Sequence, residues 1–98
     1  MIDHGKSWYL VAYDVREPKR LRQTAKTLEG YGTRIQFSVF RCRLQPRELE
    51  RLQWELTKIL DSTDELLIIA LCDGCAKRIR AKGRKDPWEP NEPTFQIL

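Results

Sequence analysis

An α+β fold, an antiparallel sheet with two helices on one side, is what this chain predicts. Two apolar runs, residues 8–15 (WYLVAYDV) and 66–72 (LLIIALC), are too short for helices and rich in strand-forming residues. Two further stretches carry apolar residues at helical spacing, and a proline opens each of them. Between them, residues 33–44 (TRIQFSVFRCRL) read as two short extended pieces.

Residues 7–15 form the first strand. Trp8, Leu10, Ala12 and Asp14 lie on one face, Tyr9, Val11, Tyr13 and Val15 on the other. Both faces are apolar, which predicts a central strand covered by helices on one side and by a partner sheet on the other. Pro18 opens a helix that runs to Glu29 with an inner stripe of Leu21, Thr24, Ala25 and Leu28, and Gly30 and Gly32 end it. The next two pieces are separated by a bend at residues 36–38. In the second piece Val39, Arg41 and Arg43 share one face, and Phe40, Cys42 and Leu44 the other. Pro46 opens a second helix to about Leu60, striped by Leu49, Leu52, Leu56, Ile59 and Leu60. Trp54 falls off that stripe, as an interface or surface aromatic. Asp61-Ser62-Thr63-Asp64 is a turn. Residues 66–72, continuously apolar, predict a buried central strand.

The order strand, helix, strand, strand, helix, strand is the ferredoxin-like βαββαβ sandwich, here assigned to residues 1–75. Residues 76–98 are a basic, proline-containing tail of the same domain. Its last five residues, TFQIL, add a strand to an edge of this sheet or a partner's, at the dimer interface, or else fray.

At 98 residues with a net charge of +4, the chain is one domain with a modest core and a bias toward polyanions. The charge is segregated. Residues 15–34 hold six Lys or Arg against two acids, residues 76–86 six against one, and residues 47–66 three against six. Such a layout suits a protein that turns one face to phosphates, although solvated basic helices are common. No apolar run is long enough to span a bilayer and no signal-peptide segment opens the chain, so a soluble, cytoplasmic protein with no membrane partner is expected.

Three cysteines, Cys42, Cys72 and Cys75, cannot all pair, which argues against a disulfide scaffold. Cys72-Asp-Gly-Cys75 has the spacing of half a zinc knuckle or of a redox pair. No second such pair follows and the single histidine, His4, is distant, so small, buried, reduced thiols are expected.

Asp14 stands where a strand hands over to a basic helix, the end of a strand at which α/β folds gather ligands. An ionised Asp there holds a hard cation such as Mg²⁺, or else caps the following helix.

Tyr13-Asp14-Val15, the basic helix ending in Tyr31-Gly32, the Arg34-Ile35-Gln36-x-Ser38-Val39-Phe40 stretch, and the second helix leading through a strand to Cys72 resemble the Cas2 family of CRISPR-associated proteins. The resemblance covers roughly residues 7–75 in order. It implies a homodimer with facing sheets, described as a metal-dependent nuclease on RNA or duplex DNA and as the bridging subunit between integrase dimers in spacer acquisition. Under it Asp14 matches the metal-binding residue, with Mg²⁺ or Mn²⁺ as cofactor, and Tyr13 the residue before it. Arg34 and Phe40 match positions near the nucleolytic cleft. Arg22 corresponds approximately, because the turn before it has an extra residue.

The enzymatic reading requires the dimer. One Asp per protomer is a sparse ligand set, whereas a two-fold axis beside the strand end brings two copies of Asp14 to one cation. For Arg34 the alternatives are a bidentate phosphate clamp or a strand-edge ornament; for Phe40, cleft or core; for Tyr13, water orientation or packing; for Ser38, phosphate contact or a backbone role. Arg16, Lys19, Arg20, Arg22, Lys77 and Arg78 are the nucleic-acid-binding candidates. Two readings result: a Mg²⁺-dependent endonuclease working through paired Asp14, and a non-catalytic DNA-binding adaptor that docks an integrase. A toxin-like ribonuclease on the same fold is a third.

Overall fold

Alternation of buried and exposed side chains assigns every strand to a layer. The computed structural model describes residues 5–78, in the order β1 (Ser7–Asp14), α1 (Pro18–Glu29), β2 (Gly32–Gln36), β3 (Val39–Leu44), α2 (Pro46–Ile59), β4 (Glu65–Leu71) and a short α3 (Asp73–Lys77). The strands form one antiparallel sheet in the order β2-β3-β1-β4. The helices α1 and α2 pack on each other and against the sheet. This is the expected α+β, ferredoxin-like arrangement.

The two long helices begin where their prolines stand. Glu17 caps α1 by accepting a hydrogen bond from the backbone N–H of Arg20 at 2.7 Å, and at α2 the Gln45 backbone N–H donates to Glu48 Oε1 at 2.8 Å. Their inner stripes bury Thr24 and Leu28 from α1 and Leu52 and Leu56 from α2. Against them the sheet sets Val11 and Tyr13 of β1, with Val15 just beyond its end, and Phe40, Cys42 and Leu44 of β3. Burial of each leucine here contributes about 1.5–3 kcal/mol.

Among the described residues, α1 and α2 leave the opposite face of the sheet uncovered. Trp8, Leu10 and Ala12 of β1 lie there, level with Arg43, Arg41 and Val39 of β3 and with Leu71, Ile69 and Leu67 of β4. The guanidinium groups of Arg41 and Arg43 each lie over the Trp8 ring, 5.2 Å from its centroid. Leu67 and Ile69 remain 56% and 41% exposed.

Three expectations are corrected. Among the described residues β4 lies at the edge of the sheet, not at its centre, because β1 takes the central place and pairs on both sides. Its continuous apolar run reflects two differently used faces, one on the core and one open. Cys72 and Cys75 are exposed rather than buried, because the chain leaves the sheet edge at Cys72 and α3 buries only Ala76; Cys42 alone is a core thiol. Gly32 belongs to β2 rather than to the end of α1. A Cβ at Gly32 would stand 2.1 Å from the Arg41 carbonyl oxygen and 2.6 Å from Cys42 Sγ, so the close approach of β2 to β3 requires glycine. The strand expected at residues 94–98 lies outside the described residues, as do the cations from residue 80 onward. Among the described residues no helix is long and apolar enough to cross a membrane.

Candidate active site

The last residue of β1 is Asp14, and the β1–β4 register sets it directly opposite Glu65, the first residue of β4. Cross-strand partners share a face and lie within about 5.5 Å at Cβ, so two carboxylates meet at this corner. Asp14 is 59% exposed in its side chain, with Arg16 Nε 3.9 Å from Oδ1. Two open depressions adjoin it, of about 630 and 330 Å³, and both are lined by Asp14, Asp64 and Glu65.

Asp64 plays a different part. Its carboxylate is almost fully covered and accepts two bonds from Arg20, Nε to Oδ2 at 2.8 Å and Nη2 to Oδ1 at 3.2 Å, plus the backbone N–H of Asp61 at 2.8 Å. The Arg20 guanidinium and the Asp61 amide hold the Asp64 carboxyl below the usual carboxylate range. Arg20, grouped with the nucleic-acid contacts from its place in a basic helix, is therefore committed to Asp64.

Alternation along β1 sends Tyr13 to the helix side of the sheet and Asp14 to the open side. Tyr13 stacks on Phe40 with ring centroids 6.3 Å apart, and burial pushes its phenol above its ordinary pKa, with Arg34 acting weakly against that shift. The hydroxyl points at the Phe37 carbonyl at 3.4 Å, and the Tyr13 backbone N–H donates to the Ser38 carbonyl at 3.1 Å. Ser38 thus contributes a backbone contact. Phe40 is fully buried, so it packs the core. Arg34 is exposed on the edge strand β2, with its guanidinium 5.2 Å from the Phe40 ring centroid and 6.0 Å from that of Phe37. The sheet therefore separates the four family-matched residues: Asp14 on the open face, and Tyr13, Arg34 and Phe40 on the other.

The basic candidates are divided as well. Arg16, Lys19 and Arg22 are exposed on the segment that leaves the Asp14 corner. Lys77 and Arg78, also exposed, follow β4 at the far end, where Leu71 pairs with Trp8. Six residue steps of β1, from Trp8 to Asp14, separate the two ends, about 20 Å at strand rise. Sequence reading missed Glu65, because its pairing with Asp14 follows from sheet register. The only signal was an acid at the start of the last strand.

The donors at the Asp14 corner suit a hard cation. Mg²⁺ takes one or two carboxylates and retains water, and Asp14 and Glu65 offer exposed oxygens of that kind. Among the described residues no group of three or more His, Cys, Asp or Glu side chains converges to hold a metal ion, so one protomer offers at most this pair.

Comparison with known proteins places these features in a family. The family model described as CRISPR associated protein Cas2 matches residues 7–79. A protein of Chloroflexus aurantiacus named CRISPR-associated endoribonuclease Cas2 1 is 34% identical over 92 residues, 92% of this chain and 99% of that one. One of Thermus thermophilus named CRISPR-associated endonuclease Cas2 2 is 42% identical over 65 residues, covering 66% of this chain and 72% of its own length. Among solved structures, Streptococcus pyogenes Cas2 superposes with a TM-score of 0.72 at 36% identity, over 78% of this chain and 99% of that one.

Proposed function

The chain belongs to the Cas2 family of CRISPR-associated proteins, and from that premise we propose that it is an endonuclease that hydrolyses phosphodiesters in RNA or duplex DNA. The observation that carries this reading is Asp14, an exposed carboxylate at the carboxyl end of a central strand, on the sheet face opposite α1 and α2. Relatives named endoribonuclease and endonuclease support it.

The protein works as a homodimer in this reading. The open face carries Leu10, Ala12, Val39, Leu67 and Ile69, and a second copy of the same face removes that apolar surface from water. Two-fold symmetry then brings the two Asp14 side chains toward each other. Asp14 of each copy, with Glu65 as its register partner, would hold Mg²⁺ or Mn²⁺. When bound, such an ion supplies Lewis-acid polarisation of a phosphoryl oxygen and neutralises developing charge. Arg16, beside Asp14, attracts the substrate backbone to the corner, and Arg34 offers its fork to a flanking phosphate. Tyr13, neutral and held against Phe40, fixes the strand end from which Asp14 projects.

The test is cleavage of RNA and duplex DNA, with and without Mg²⁺, by wild type, Asp14→Asn and Glu65→Gln. Wild-type cleavage with Mg²⁺, abolished in Asp14→Asn at unchanged unfolding midpoint and reduced in Glu65→Gln, is the expected result. Equal rates in wild type and Asp14→Asn would sink the reading.

A second reading rests on the separation of the cations. Lys77 and Arg78 sit at the far end of the sheet from Asp14, so a duplex following them need not cross the acidic corner. That placement supports an added role in binding duplex DNA, which the adaptor that bridges integrase dimers during spacer acquisition would need. Lys77→Ala with Arg78→Ala should weaken duplex binding and leave RNA cleavage intact.

A further inference from the structure

Phe37 is 71% exposed at the tip of the β2–β3 hairpin. Of the other large apolar side chains that stand out, Leu67 and Ile69 belong to the open sheet face, and Trp54 lies on α2 with Lys58 Nζ 4.1 Å from its ring centroid. The Phe37 ring has no such account. Its neighbour is a cation, Arg34, which lies over both Phe37 and the buried Phe40. The backbone beneath the ring is anchored, since the Phe37 and Ser38 carbonyls both face Tyr13, the residue before Asp14. The hairpin thus presents an aromatic plane and a guanidinium together, on a fixed support at the same end of the sheet as Asp14, with Arg34 on the opposite face from it.

We propose that Phe37 and Arg34 form a stacking platform for an unpaired nucleobase of the substrate, Phe37 taking the base and Arg34 the phosphate attached to it. This rests on the nuclease reading and sharpens it by naming the substrate feature that the hairpin tip recognises. The chemistry selects the occupant. An exposed aromatic ring offers stacking that is indifferent to base identity, and a flanking Arg adds an electrostatic contact to the backbone. A base in an intact duplex is already stacked and paired, so the platform favours single strands, frayed ends or flipped bases.

The experiment is equilibrium binding in EDTA, read by fluorescence anisotropy. The probes are a short single-stranded RNA, the same sequence as a duplex, and a strand of the same length lacking its bases. The proteins are wild type, Phe37→Ala, Phe37→Tyr and Arg34→Gln, with fold and oligomeric state checked by circular dichroism and sedimentation. Phe37→Ala should weaken single-strand binding about 5- to 100-fold, the range of base–aromatic stacking, and leave its salt dependence unchanged. Phe37→Tyr should bind like wild type. Arg34→Gln should reduce the slope of log affinity against log salt by about one. On the base-free strand and the duplex, Phe37→Ala and wild type should agree.

Wild-type affinity of Phe37→Ala for the single strand would overturn the proposal, as would an equal loss on all three probes. So would a change confined to oligomeric state, which assigns the ring to a protein contact. Because no metal is present and no cleavage is read, these outcomes are independent of Asp14. Failure of the platform leaves the nuclease reading standing, whereas loss of the Asp14 dependence of cleavage leaves the binding result untouched.

Discussion

Arg20 in the first turns of α1 and Asp64 in the turn before β4 form a two-point ion pair across 44 residues of sequence, at 2.8 and 3.2 Å. The pair ties the start of the first helix to the strand that carries Glu65, directly beside Asp14. It therefore sets the shape of the acidic corner without being available to a ligand.

Stability should depend on this pair in acid. The folded-state pKa of Asp64 lies below its unfolded value, so its contribution is present above the ordinary carboxylate pKa and is lost as pH falls through the folded one. Urea unfolding midpoints should be lower for Asp64→Asn than for wild type near neutrality, and the two should converge in acid. Identical curves across the whole range would remove the pair from the account of stability.

Phe40 should matter through folding. Its ring is fully buried and stacks with Tyr13, so Phe40→Ala should cost about 3–5 kcal/mol in denaturant unfolding. Activity should fall in proportion to the unfolded fraction. A Phe40→Ala protein of wild-type stability that fails to cleave would instead place the ring in contact with substrate.

The three thiols should differ in reactivity. Cys72 Sγ accepts the Cys75 backbone N–H at 3.2 Å, and hydrogen bonds from Cys75 hold its pKa below the ordinary thiol value, while Cys75 is pushed up by its neighbour. Burial raises the Cys42 thiol to about 11. Timed alkylation at neutral pH with mass spectrometry should label Cys72 first and Cys42 last, the latter at the rate of unfolding. Early labelling of Cys42 would contradict the packing of β3.

The proposed homodimer should be lost when the open sheet face is charged. In that proposed dimer Leu67→Glu places a carboxylate on the face in both copies, and because Leu67 is 56% exposed, losing the burial of two such side chains alone raises the dissociation constant about 20- to 300-fold. Sedimentation velocity should show a monomer, while Trp54→Ala, on the outer side of α2, leaves the dimer intact. A dimeric Leu67→Glu would place the interface elsewhere.

Much of the architecture was legible in the chain. Pro18 and Pro46 marked both long helices, their stripes named Leu28, Leu52 and Leu56 as inner residues, and alternation put Phe40, Cys42 and Leu44 together on one face of β3, the face that the structure buries. These are short-range signals, written within one or two turns of helix or a few residues of strand. Asp14 was legible for the same reason, as a carboxylate closing an apolar run.

Sheet order and register were not, because they depend on pairing between segments far apart in sequence. Only the tertiary structure decided that β4 lies at the edge of the sheet that the described residues form, that Glu65 faces Asp14, that Arg20 is spent on Asp64, and that Lys77 stands at the opposite end of the sheet from Arg16. Local composition specifies which residues seek the core and where helices begin. Which polar side chains then meet is set by backbone hydrogen bonding between strands, and that closes only once the whole sheet has formed.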